Sequence, residues 1–162
     1  MAVARPSTSH ASQGHARQAL HAALFGTGRL LLVVPPDFDA SFGQHIVVAW
    51  KESKITHRAI LAAQPWLSRA KQVSVVQVGE GNAGELLEAE RLLDSMQIEA
   101  SFNVVSMEGQ TIGHRILAEV DKIGADSLVM GAYRHRAVIE WVIGGATTDV
   151  LSHTHVPVWL LH

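Results

Sequence analysis

Cysteine is absent from the 162 residues. That one absence removes disulfides, thiolate metal ligands and cysteine nucleophiles together. A dominant charge is missing too. Thirteen Lys and Arg stand against 15 Asp and Glu, a formal −2, so there is no basic field to draw nucleic acid. Long apolar runs are also lacking: Leu30 to Val34 and its like fall far short of the ~20 residues a membrane span needs. The N-terminus is rich in Ser, Ala and His but has no apolar stretch of signal-peptide type. The expectation is a cytoplasmic, soluble protein with neither membrane nor nucleic-acid partners.

What is present reads as globular. The hydrophobic share is 48% and the charged share 17%, and the length suits one domain with a real core. Ten histidines are many, yet they are scattered, and only His153 and His155 sit close together. No carboxylate or third histidine stands at ligand spacing from them, so no metal site is expected.

Residues 1–15 show no periodicity and read as a disordered lead-in. In residues 16–36, Leu20, Ala23 and Leu24 recur at helical spacing before Gly26, a plausible stop. Arg29 to Val34 then makes a short strand closed by Pro35-Pro36. Residues 37–43 are a linker, and 44–162 form the main domain. There His45 to Trp50 is a continuous apolar strand of the buried kind. Ser53 caps a helix that Pro65 should kink or stop. Gln72 to Val78 is the next strand, and a helix striped by Leu86, Leu87, Leu92, Leu93 and Met96 follows. Glu99 to Val105 reads as a half-exposed edge strand, and Ile112 to Ile123 as a helix ended by Gly124. The chain closes with the strand Ser127 to Met130, a helix from about Gly144 to Ser152, and the strand Val156 to Leu161.

Strands alternating with helices predict an α/β fold: an open, doubly wound, Rossmann-like parallel sheet of five strands. Right-handed crossovers leave few topologies, of which the order 3-2-1-4-5 is favoured. Ligands of such sheets bind at the carboxyl ends beside the switch point, here between the first and fourth strands. The earlier helix and strand look like a repeat of the chain's own end. Setting Leu24 on Leu151 places Ala23 on Val150 and Leu31 to Val34 on Val158 to Leu161 without a gap.

The strand-to-helix stretch beginning Leu128-Val129-Met130-Gly131 and ending Gly144-Gly145-Ala146-Thr147 carries a spaced glycine pattern. Glycines let backbone N–H groups approach phosphate oxygens, and a helix N-terminus adds partial positive charge. With the closing Val156-Pro157-Val158-Trp159-Leu160-Leu161, this pattern resembles the universal stress protein family over residues 44–162. Residues 17–36 resemble the last helix and strand of a preceding copy, as in tandem members of that family.

The resemblance implies an adenine side at Ala49, Lys51 and Val78. It implies a phosphate side at Met130, Gly131, Arg134, Gly144, Gly145 and Ala146, with Thr147 beside it. ATP or AMP is the ligand so implied. Three positions depart from the nucleotide-binding pattern: Lys51 stands for the usual Asp, Arg134 for the second glycine, and Gly145 for Ser or Thr. Arg134 offers a guanidinium fork to phosphate, or else belongs to a solvated basic loop, Arg134-His135-Arg136.

No Gly-x-Gly-x-x-Gly follows the first strand, and neither a Walker Gly-Lys-Ser/Thr nor a Gly-x-Ser-x-Gly is present. The reading is therefore a non-enzymatic stress-response module with a degenerate nucleotide site, acting through dimerisation or partner contact. ATP or AMP binding through the Gly131 to Gly145 loop is the alternative. The family pairs the last strands of two domains antiparallel. Leu30 to Val34 is accordingly expected to pair with Val156 to Leu161, within one chain or exchanged in a homodimer.

Overall fold

The computed structural model describes residues 2–4, 19–20, 22–36, 38–79, 83–132 and 145–162. Its elements, in chain order, are β1 (Ala2–Ala4), the helix α1 (helical at 19–20 and 22–27), β2 (Leu31–Val34), β3 (His45–Ala49) and α2 (Lys54–Leu67). There follow β4 (Gln72–Val78), α3 (Ala83–Ser95), β5 (Ser101–Val105), α4 (Ile112–Lys122), β6 (Ser127–Gly131), α5 (Ala146–His153) and β7 (Val158–Leu161). One seven-stranded sheet runs β1-β2-β7-β6-β3-β4-β5. Every pair is parallel except β2 with β7.

The five strands of the main domain thus follow the expected order, with β5 at one edge, and β2 pairs antiparallel with the last strand as expected. β1 was not expected. Residues 1–15 read as a lead-in without structure, but Ala2–Ala4 form a strand parallel to β2. A three-residue strand carries no periodicity of its own; a ready-made neighbour organises it. The rest of the lead-in lies outside the described residues.

Both faces of the sheet are covered, which is why β3, β4 and β6 are buried along nearly their whole length rather than at alternate residues. On one face Val47, Leu128, Val158 and Leu160 pack with Ile116, Val120, Val150 and Leu151 of α4 and α5, and with Ala23 and Leu24 of α1. On the other, Ile46, Val48, Val75 and Val129 pack with Ala59, Ile60 and Ala63 of α2 and with Ala89 and Leu93 of α3. Trp159 lies on this second face against Phe42 and Trp66, with ring centroids at 5.6 and 6.0 Å.

Helix ends follow their local chemistry. Ser53 caps α2 by accepting from the backbone N–H of Thr56 (3.1 Å), and Thr111 caps α4 by accepting from that of His114 (3.4 Å). Pro65 does not stop α2, which runs on to Leu67. The carbonyl it deprives of a donor belongs to Leu61, which is half exposed. α1 ends not at Gly26 but before Gly28, whose φ of +59° supplies the left-handed turn.

Candidate functional site

Parallel pairing brings the carboxyl ends of β3, β4 and β6 to one end of the sheet. Ala49 lies across from Met130 on one side and from Val76 on the other, so Val78 stands at the rim two residues beyond. Past Ala49 the chain stays tied to the sheet, Trp50 donating its N–H to the Val76 carbonyl at 2.8 Å. Lys51 is then exposed, two residues ahead of the Ser53 cap.

Gly131, next after Met130, lies against the first turn of α2. A Cβ there would stand 3.0 Å from Ile55 Cγ2 and 3.2 Å from both the N and the Oγ1 of Thr56. The sequence presents Gly131 as a residue that opens backbone to phosphate; in the structure its missing side chain also lets β6 approach α2.

At the start of α5, Gly145 is an extended cap residue with no side-chain hydrogen bond to the helix. Ala146 and Thr147 form the first turn, Thr147 buried. The turn is seated on Gly113 of α4, where a Cβ would meet the Asp149 side chain and stand 2.7 Å from the Ala146 carbonyl. Thus Ala49, Lys51, Val78, Met130 and Gly131 gather at the strand ends, while Gly145, Ala146 and Thr147 open the helix that follows. Arg134 and Gly144 lie outside the described residues.

Several polar groups beside these residues went unnoticed in the sequence. Trp50 is buried and stacks on His57, with ring centroids 5.2 Å apart; neither the indole Nε1 nor the His57 Nε2 has a hydrogen-bond partner among the described residues. The signal was available in the seven-residue spacing of two aromatic rings across the β3–α2 turn. Arg115 is buried on α4, donating from Nε to the Ser106 carbonyl at 2.9 Å and lying 3.5 Å from Glu119. Around α2 the first turn holds no acidic residue, while Lys51 and Lys54 are exposed beside it. Glu52, exposed between them, offsets part of that positive charge and is the one carboxylate placed favourably for the helix dipole.

The amino end of the sheet is chemically different. His45 Nε2 and Ser74 Oγ are 2.9 Å apart, and Ser101 donates to Ser74 at 2.9 Å. Burial pushes the His45 imidazole below its usual value, against the opposing pull of Asp126. Ser74 is buried under this ladder, which ties three strands together. Among the described residues no group of three or more His, Asp or Glu is arranged to hold a metal ion. None of their helices is long and apolar enough to cross a membrane.

The model of the universal stress protein family matches residues 8–162. The chain belongs to that family. Its fold is similar to that of a universal stress protein from Archaeoglobus fulgidus DSM 4304, with a TM-score of 0.65 and 21% identity over 82% of this chain. That match takes in 49% of the other protein, so the chain spans about half its length. A universal stress protein in complex with cAMP matches at 19% identity and a TM-score of 0.62, over 74% of this chain and 96% of its own. One from Archaeoglobus fulgidus in complex with dAMP matches at 22% and 0.54, over 74% and 98%. At such identities these likenesses establish the fold alone. No curated protein matches the chain.

Proposed function

We propose that this universal stress protein is a non-enzymatic cytoplasmic stress-response module that acts through contact between copies or with a partner, its nucleotide site degenerate. The observation that carries the reading is the antiparallel pairing of β2 with β7, which buries Leu31 and Val33 in the main core. Side chains at the other end of the domain are less suited to chemistry. Ser53 is engaged as a helix cap, and Ser74 is buried and accepts a hydrogen bond from Ser101. The homodimer expected from the sequence uses the β2–β7 contact in exchanged form, the β2 of each protomer lying on its partner's β7.

A second reading is favoured by the start of α5, where Gly145 gives the helix no side-chain cap. Adenine nucleotide, ATP or AMP, would place phosphate there and the base by Ala49, Lys51 and Val78. Similar proteins in complex with cAMP and dAMP support this ligand class. Thermal denaturation with millimolar ATP and magnesium, and with AMP, separates the two readings. Nucleotide binding would stabilise the chain by about 2.7 kcal/mol at a hundredfold excess over Kd. An unchanged melting temperature leaves the degenerate-site reading standing; a clear shift overturns it.

A further inference from the structure

Trp50 and His57 each bury a ring nitrogen that bonds to nothing among the described residues, and the two rings lie against each other. Such a group forfeits its hydrogen bonds to water on folding without replacing them, so native interiors hold few of them. The ladder brings a third polar group alongside. Ala49 is opposite Val76, so Trp50, one residue on, stands beside Gln77, and Gln77 is opposite Val104 of β5. Trp50 packs on the α2–α3 face of the sheet with Val75 and Phe102, and alternation puts Gln77 and Val104 on that face too. The row Trp50, Gln77, Val104 therefore crosses three strands near their carboxyl ends, with His57 of α2 stacked on its first member.

Ala49 and Val78, the residues of the adenine side, pack on the opposite face, with Val47, Val76 and Met130. The row also has a direction. Trp50 is 4% exposed and Gln77 5%, whereas Val104 is 49% exposed, so the row is closed at Trp50 and reaches solvent at the β5 edge. Its chemistry is neutral. An indole N–H only donates, an imidazole Nε2 donates or accepts according to its tautomer, and a glutamine amide does both. The charges next to it in the chain, Lys51, Glu52 and Lys54, are carried on exposed side chains. A charged guest would lose its water there without gaining a counter-charge, while an uncharged carbonyl would satisfy the indole.

We infer that Trp50, His57 and Gln77 form a second ligand site, on the α2–α3 face of the sheet, for a small uncharged planar carboxamide. The carbonyl oxygen of the guest accepts from Trp50 Nε1, its amide N–H donates to the neutral His57 Nε2, and Gln77 completes the polar end. Val104 is the apolar wall at the mouth. The site depends neither on contact between copies nor on nucleotide at the start of α5.

Nitrogen-15 NMR of the full chain, titrated with nicotinamide, reads the site directly. The Trp50 indole N–H resonance should move and saturate while those of Trp66 and Trp159 stay in place. Nicotinate, the same ring carrying a carboxylate, should bind at least about tenfold more weakly because its charge finds no partner. His57→Phe keeps a ring against Trp50 and removes Nε2. It should weaken nicotinamide by about three- to tenfold, one neutral hydrogen bond, and leave the free protein at least as stable in urea. Saturating AMP should not displace nicotinamide. A Trp50 resonance unmoved by nicotinamide, or moved equally by nicotinate, would overturn the assignment. So would a His57→Phe chain markedly less stable than wild type, which would mean that water already satisfies the nitrogen. Displacement by AMP would overturn the separation of the two sites. Melting with ATP or AMP alone is read independently, so a failure here leaves both proposed functions standing.

Discussion

Leu32 lies directly across the sheet from Trp159, on the one antiparallel ladder among the paired strands. Their neighbours Leu31 and Val33 turn to the opposite face and are buried there with Leu24, Val158 and Leu160. The N-terminal segment is therefore not an appendage resting on a finished domain. It supplies side chains to the same core as β6 and β7, so its removal and the domain's unfolding are linked.

Leu31→Ala tests that linkage. Leu31 is 0% exposed, and deleting a buried leucine side chain costs about 2–5 kcal/mol where the site cannot collapse. The expected result is a loss of that size in urea denaturation, with one transition seen by both tryptophan fluorescence and circular dichroism. Two transitions, the first confined to the N-terminal segment, would show that it folds separately. Leu87→Ala, at an exposed position on α3, should change stability by no more than about 0.5 kcal/mol.

Much of this architecture was legible because its physical signals are local. Continuous apolar runs at His45 to Trp50 and Ser127 to Met130, each short and set between helical patterns, read as strands buried on both faces, and Ser53 announces a helix start by its cap. β1 was illegible because a three-residue strand owes its order to β2, far along the chain. The candidate site was legible as glycines but not as contacts. Nothing in the sequence around Gly131 says that Ile55 and Thr56 press on it. Nor does spacing show that Arg115 and Glu119, which look like a surface helical pair, are buried together.

Gly131 and Gly145 should respond in opposite ways to a small added side chain. At Gly131 an alanine Cβ meets Ile55 Cγ2 at 3.0 Å and the backbone of α2 at 3.2 Å, and overpacking of that kind costs about 1–3 kcal/mol. Gly131→Ala should lower the melting temperature accordingly. Around Gly145 no described residue stands within 4 Å of an added Cβ, the backbone is extended and there is no cap hydrogen bond. Gly145→Ser adds the missing cap oxygen and should stabilise by a few tenths of a kcal/mol. Differential scanning calorimetry of both variants checks the signs.

His45 should give the protein a weak acid sensitivity. Burial lowers its folded-state value below that of the unfolded chain, so the unfolded state takes up a proton first as pH falls. Its contribution is fully present above the unfolded value of 6.5 and is lost as pH falls from there through the lowered folded value. Melting temperatures of wild type and His45→Gln between pH 7.5 and 5 should converge toward the acid end. Parallel curves would show that another group carries the dependence.

Arg115 should prove the most sensitive charged position on α4. It is held by the Ser106 carbonyl and sits 3.5 Å from a Glu119 whose side chain is only 3% exposed. Arg115→Met leaves that carboxylate buried with Lys122 as its remaining ion-pair partner, itself 67% exposed. Breaking a buried pair from one side costs about 3–5 kcal/mol where the surviving charge is left uncompensated, and the contact with Lys122 should hold the loss toward the lower end of that range. The double variant Arg115→Met/Glu119→Leu removes both charges and should recover most of the loss. Glu108→Gln, which affects only the outer pair of the network, should cost no more than about 1 kcal/mol, since Glu108 is 60% exposed. Urea denaturation of the set decides the matter. Equal losses in the single and double Arg115 variants would mean that the contact with Ser106, rather than the buried charge, is what α4 depends on.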